Sequence, residues 1–399
     1  MKAYNEDSIK NIYIRQQAQT LHSEGLLTDE QLKQVETNFT DTFNHTNGFA
    51  RIGKFILTSI ATIAALSILT LMFGQIFQNE TNIRVYAFIC GVLVLFFYEA
   101  LISSNNLFDS GTDSALLYFS LGFMIAAFSF QSMTLTCFVA CSLFTLAAIR
   151  YTDTICTTCA FAALIAFQVS LLYHSPLGKA ILPFLIMATA AIIYFWSKAQ
   201  QQKENKIYWY NPLYTLEIAA VVVFYAAGNY WVVDHANQAL STPNYTPDYE
   251  SQIPNHLSSP QGTQIPTVPF AFIFYTLTAL IPCLYIYLSL LWKNRILLIA
   301  SLAATAASLY TLHYYHSVAP PEIVGLIGGA ILIALSVFLI RLLKTPRNGF
   351  AYQPEKHQSN LLEGIILSQV VGHHSNAPTT DPLKFGGGDF GGGGATSDF

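Results

Sequence analysis

The chain has 399 residues, of which 53% are hydrophobic and 11% charged, with a formal net charge of -4 at neutral pH. A soluble domain is nearer a quarter charged, so this composition argues against a water-soluble protein. No long basic block occurs, so nucleic acid is not an expected partner.

The sequence pattern of residues 1–50 predicts a cytoplasmic helical hairpin. The residues up to Glu24 favour a helix, Gly25 suits the position after a helix end, and Thr28 with Gln31 is typical of a capping box. Such a hairpin is too small to hold a core alone. We therefore expect it to pack on the rest of the chain or on a protein partner.

Apolar runs of about 20 residues recur through residues 51–345 and predict membrane-spanning helices. The predicted fold class is all-α: a polytopic transmembrane helical bundle of about ten spans behind the short hairpin. The expected spans are 55–77, 84–103, 114–130, 133–149, 154–173, 179–196, 212–233, 269–292, 296–314 and 322–343.

The basic residues near the span ends predict the orientation, because cytoplasmic loops carry an excess of Lys and Arg. Only Arg84 and Lys179 fall on the side opposite the N-terminus. The eleven on the N-terminal side are Arg51, Lys54, Arg150, Lys198, Lys203, Lys206, Lys293, Arg295, Arg341, Lys344 and Arg347. This bias predicts a multi-pass protein of the bacterial inner (plasma) membrane with both termini in the cytoplasm.

Two polar segments are expected to lie outside the bilayer. The loop 234–268 contains no Lys or Arg and is rich in Pro and small polar residues, which predicts an irregular external segment. Residues 346–399 predict a flexible cytoplasmic tail, with one apolar patch at 361–371 and a glycine-rich tether at its end. The hairpin and this tail are the segments expected to contact protein partners, and the lipid bilayer surrounds the bundle.

Two carboxylates fall inside predicted spans, Glu99 in the second and Glu217 in the seventh. An ionisable residue at the bilayer centre costs roughly 2.5–3.5 kcal/mol on insertion scales, so each is a candidate ion or proton site. The competing interpretation is that each side chain reaches the interface or caps a neighbouring helix.

Four residues on the opposite side form a weaker metal-site hypothesis: Asp234, His235, His313 and His316. Histidines at i and i+3 of a helix can present two nitrogens to one metal. Because tyrosines surround this histidine pair in the sequence, interfacial anchoring is the alternative interpretation.

No phosphate-binding loop, dinucleotide fingerprint or hydrolase motif occurs, so no catalytic residue and no cofactor is predicted. The sequence favours a non-enzyme. The six cysteines lie inside apolar runs, where a thiol behaves as a small hydrophobic group.

The N-terminal segment QTLHSEGLLTDEQLKQVE resembles the hairpin that opens a family of bacterial predicted membrane proteins of unknown function. In that family a Gly-Leu-Ile/Leu turn precedes an acid-rich second helix, and closely spaced hydrophobic spans follow. The resemblance covers residues 10–343 and implies a fold but no activity. The ending at 385–399 resembles the glycine-rich tails of some bacterial membrane-anchored proteins.

Two functions lead from the sequence, ahead of a membrane enzyme that would use the cluster of Asp234, His235, His313 and His316. The first is a transport or permease-like protein with a carboxylate site on the cytoplasmic side, at Glu99 and Glu217. The second is a non-catalytic scaffold or sensor that binds partners through its cytoplasmic ends.

Overall fold

The computed structural model describes residues 2–23, 25–40, 43, 47–73, 79–105, 107–129, 132–241, 268–292 and 294–316, with isolated positions between 326 and 341. Within these ranges every regular element is helical. The all-α expectation is therefore confirmed. The tail 346–399 and most of the loop 234–268 lie outside the described residues.

The N-terminal hairpin consists of α1 (Glu6–Ser23) and α2 (Asp29–Asn38). The predicted capping box is present, because the Thr28 side chain accepts from the Gln31 backbone N–H and the Gln31 side chain accepts from the Thr28 backbone N–H. Gly25 has a φ of +75°, a conformation that costs glycine little.

In the described part of the chain, ten further α-helices follow the hairpin. They are α3 (Gly48–Met72), α4 (Glu80–Asn105), α5 (Thr112–Ala126), α6 (Met133–Tyr151), α7 (Thr154–Leu172), α8 (Pro176–Gln201), α9 (Tyr210–Gly228), α10 (Tyr230–Ser241), α11 (Ala271–Trp292) and α12 (Arg295–His316). A short 3-10 helix, Glu204–Trp209, joins α8 to α9.

Eight of the described helices are long and apolar enough to cross a membrane. The predicted third span is the apolar helix α5, but its 15 residues give a length of only about 22 Å, below the roughly 30 Å of a bilayer core. The predicted tenth span, 322–343, lies mostly outside the described residues. These two segments account for the difference between eight and ten.

The outward faces of these helices are strongly apolar. Leu57 is 69% exposed, Phe96 75% and Phe272 81%. A soluble monomer rarely exposes large contiguous apolar surface, whereas lipid tails would cover such a belt. The eight apolar helices and this belt are compatible with a multi-pass membrane protein.

Helices that are consecutive in the sequence pack side by side: α4 on α5, α6 on α7, α8 on α9, and α11 on α12. One buried cluster joins the N-terminal hairpin to α4, α5 and α6 through residues such as Ile9, Tyr98 and Tyr151. A second cluster joins α8, α9 and α11 through residues such as Ala190, Val221 and Ile281. The hairpin therefore packs on the bundle.

The structure corrects one boundary of the predicted spans. The sequence predicted a helix over 212–233 followed by an irregular loop, but α9 ends at Gly228 and a separate helix, α10, runs from Tyr230 to Ser241. The break falls at Asn229, whose side-chain oxygen accepts from the N–H groups of Trp231 and Val232. An asparagine in that position starts a new helix.

Candidate functional site

The bundle has two ends, and each is named after a residue that lies there. The Arg150 end is where α6 and α8 finish and where α9 and α12 begin; the N-terminal hairpin packs there, with Tyr13 beside Tyr210. The Asp234 end is the opposite one, where α9 finishes and α10 lies.

Glu217 lies on α9, seven residues after the helix begins, and is 0% exposed. Seven residues correspond to about 10 Å of helix rise, so the carboxylate sits inside the bundle near its Arg150 end. It belongs to one of the eight helical segments that are long and apolar enough to span a membrane.

Two side-chain amides hold the carboxylate of Glu217. Nε2 of Gln201, the last residue of α8, donates to Oε2 at 2.9 Å. Nδ2 of Asn294, the residue before α12, donates to Oε1 at 3.1 Å. The site therefore joins three helices: the end of α8, the start of α12 and the interior of α9.

The orientation of the Asn294 amide is fixed by a second role. Its Oδ1 accepts from the N–H of Ile296 at 2.9 Å and of Leu297 at 3.4 Å, so it caps α12. The oxygen and nitrogen of an amide are normally assigned only from their hydrogen bonds. Here the cap assigns the oxygen, and the NH₂ group must face Glu217.

No ion pair among the described residues includes Glu217. The ammonium of Lys198 lies over the rings of Tyr194 and Trp292, 5.9 Å and 5.1 Å from their centres. Among the described side chains, these two amides are the hydrogen-bond donors to Glu217, and burying a carboxylate is costly.

Glu99 has a different environment. Its two oxygens accept from Nε and Nη2 of Arg150, each at 2.8 Å, and the Tyr151 hydroxyl donates to it as well. The Glu99 side chain is 33% exposed, and the guanidinium is similarly accessible. This bidentate pair fixes the end of α6 against α4.

The structure does not bring Glu99 and Glu217 together. Their hydrogen-bond partners, Arg150 and Tyr151 for the first, Gln201 and Asn294 for the second, form separate networks within the described residues. The sequence makes the two carboxylates equal candidates. In the structure Glu99 is paired with the Arg150 guanidinium, whereas Glu217 accepts from two amides.

The start of the chain is tied to the Arg150 end. The backbone oxygen of Arg150 accepts from the Ala3 N–H at 3.0 Å and from the Tyr208 hydroxyl at 3.1 Å. The Tyr4 hydroxyl lies 3.5 Å from that of Tyr98, and burial raises the pKa of Tyr4. Tyr4 therefore remains a neutral hydrogen-bonding group.

Among the described residues, Asp234, His235 and His313 belong to no cluster suited to a metal. Asp234 accepts from Tyr315 and from Gln238, whereas Nδ1 of His235 lies 2.9 Å from the Trp231 carbonyl oxygen of its own helix. Nδ1 of His313 is buried and makes no hydrogen bond to the described residues. The side chain of His316 lies outside the described residues. No group of three His, Cys, Asp or Glu side chains suited to a metal occurs in the described part of the chain.

Sequence reasoning missed Gln201 and Asn294, the partners of Glu217. A signal for Asn294 exists, because an asparagine directly before an apolar periodic segment is typical of a helix N-cap. Its contact with Glu217 spans 77 residues and leaves no local trace.

Searches against known protein families, curated proteins and solved structures find nothing that matches this chain.

Proposed function

We propose that the chain is a transport protein of the bacterial inner membrane in which Glu217 takes up and releases a proton or cation. The observation that carries this proposal is the complete burial of the Glu217 carboxylate, inside an apolar helix and between two amide donors. Carboxylates in such positions are expensive to keep and mark ion or proton pathways in membrane bundles.

We assign Glu99 no part in the proposed transport. Its bidentate pair with Arg150 satisfies both carboxylate oxygens, so a mobile ion would have to compete with a guanidinium. We assign this pair a structural role at the junction of α4 and α6.

The proposed topology has ten spans and both termini in the cytoplasm. It adds α5 and the segment 322–343 to the eight long apolar helices. A helix shorter than the bilayer core is accommodated by local thinning at modest cost. The excess of Lys and Arg supports a topology with the Arg150 end, and with it Glu217, on the cytoplasmic side.

The alternative function, a scaffold that binds partners through the hairpin, has less support. The hairpin residues Ile9, Ile14 and Ala18 are each 0% exposed. Because the chain itself covers this apolar face, the face is not free to bind another protein.

The test is ion flux in proteoliposomes that contain the purified full-length protein, driven by a gradient of pH, Na⁺ or K⁺. We expect Glu217→Gln to abolish the flux, since the amide cannot ionise. Glu80→Gln is the matched control, because Glu80 is an exposed residue at the first turn of α4. A wild-type protein that carries no ion under any of these gradients would overturn the proposal.

A further inference from the structure

A lysine and three aromatic rings gather where α8 and α11 finish. The Lys198 ammonium lies over the rings of Tyr194 and Trp292. The ring of Phe195 meets the ring of Trp292 edge to face, with 6.3 Å between their centres. Phe195 and Trp292 are exposed, so these four residues, the Lys198 cluster, open onto the outer surface of the bundle.

The Lys198 cluster lies at the level expected for lipid headgroups. Lys198 is three residues before the end of α8, and Trp292 is the last residue of α11. Trp196, which is also exposed, lies near the same end of α8. Tryptophan prefers the boundary between hydrocarbon and water, and a lysine stem can cover apolar surface while its ammonium reaches that boundary.

Exposed apolar side chains lead away from the cluster along both helices. On α11 these include Leu280, Leu284 and Leu291, which are four and seven residues apart and therefore share one face. On α8, Ile192 is exposed as well. Such surface suits acyl chains, so a ligand that contacts both the cluster and these side chains would carry hydrocarbon attached to a polar head.

The charge of the cluster indicates the charge of that head. No ion pair among the described residues includes Lys198. The lysine ammonium already lies over the Tyr194 and Trp292 rings, so a quaternary ammonium head would meet a like charge where it would need a free ring face. An anionic head instead complements the ammonium.

We propose that the Lys198 cluster binds an anionic phospholipid, with the phosphate at the Lys198 ammonium and the acyl chains along α8 and α11. The inference goes beyond the proposed transport function and does not depend on any ion flux. It requires only that α8 and α11 cross the membrane, and both are long and apolar enough to do so. A lipid fits better than a soluble phosphate, because the ammonium adjoins exposed apolar side chains of both helices.

The test is native mass spectrometry of the purified full-length protein, equilibrated in detergent with equal amounts of dioleoylphosphatidylglycerol and dioleoylphosphatidylcholine. The wild type should retain the phosphatidylglycerol preferentially. Lys198→Gln should lower this preference by about fivefold, the contribution typical of one lysine beside an anionic lipid surface. Lys198→Arg keeps the charge and should keep the preference. The matched control is Lys33→Gln, which removes an exposed lysine of α2 and should change nothing.

Three results would overturn the proposal. The first is an unchanged preference in Lys198→Gln. The second is an equal loss in Lys33→Gln, which would show a general effect of net charge. The third is release of the bound phosphatidylglycerol by an excess of inorganic phosphate, because a soluble anion would then suffice. A wild-type protein without ion flux would overturn the transport proposal and leave the lipid site standing.

Discussion

The amide nitrogen of Asn294 lies 3.1 Å from the Glu217 carboxylate while the oxygen of the same amide caps α12. One side chain thus links the start of a membrane helix to a buried carboxylate on another helix. The two roles can be separated by substitution, because serine also caps helices but is too short to replace the amide.

Asn294→Ser should lower ion flux by about tenfold and destabilise the protein by about 1–3 kcal/mol, because the cap is kept and the donor to the buried Glu217 is lost. Asn294→Ala loses both, so it should destabilise the protein by about 1 kcal/mol more. Flux assays and thermal melting in detergent measure the two effects. Full flux in Asn294→Ser would show that the amide donor is dispensable.

Glu99→Gln should reduce stability without stopping flux, because its partner Arg150 serves packing at the end of α6. The pair is partly exposed, so a double-mutant cycle with Arg150→Gln should give a coupling of about 0.5–1 kcal/mol. Loss of flux in Glu99→Gln at unchanged stability would return Glu99 to the transport site.

Gly111→Ala should destabilise the protein by about 2 kcal/mol. Gly111 has a φ of +91°, and an added Cβ would lie 2.2 Å from the backbone oxygen of Arg51. Gly122→Ala within α5 is the control, because an added Cβ there meets nothing within 4 Å and alanine favours helix. Equal melting temperatures for the two variants would contradict the close approach of α3 to the turn before α5.

Thr28→Ala should loosen the second helix of the hairpin, since it removes the capping oxygen at a cost of about 1 kcal/mol. Faster amide hydrogen exchange is expected across α2, whereas Thr37→Ala, near the end of the same helix, should have little effect. Exchange that is equal in the two variants would show that packing on the bundle alone holds α2.

The sequence was sufficient for the helical class, because apolar runs long enough to span a membrane are visible residue by residue. It also located Glu217, since a carboxylate inside such a run is conspicuous. It was insufficient at Asn229, because the apolar run around this residue predicts a single span, whereas Asn229 starts α10.

The partners of the carboxylates could not be predicted, for a physical reason. Gln201 and Asn294 lie 16 and 77 residues from Glu217, and Arg150 lies 51 residues from Glu99. Which helix ends meet is decided by packing across the whole bundle. A single sequence therefore could not distinguish the amide-bound carboxylate from the ion-paired one.

The bond between the Ala3 N–H and the Arg150 carbonyl also constrains the order of assembly during synthesis. The hairpin leaves the ribosome first, yet its docking surface includes Tyr208, about 200 residues later in the chain. At typical elongation rates of about 5–20 residues per second, that surface is complete only after about 10–40 s. During this interval the apolar face of the hairpin has only the part of its docking surface that α4, α5 and α6 supply, so it stays partly uncovered in the nascent chain.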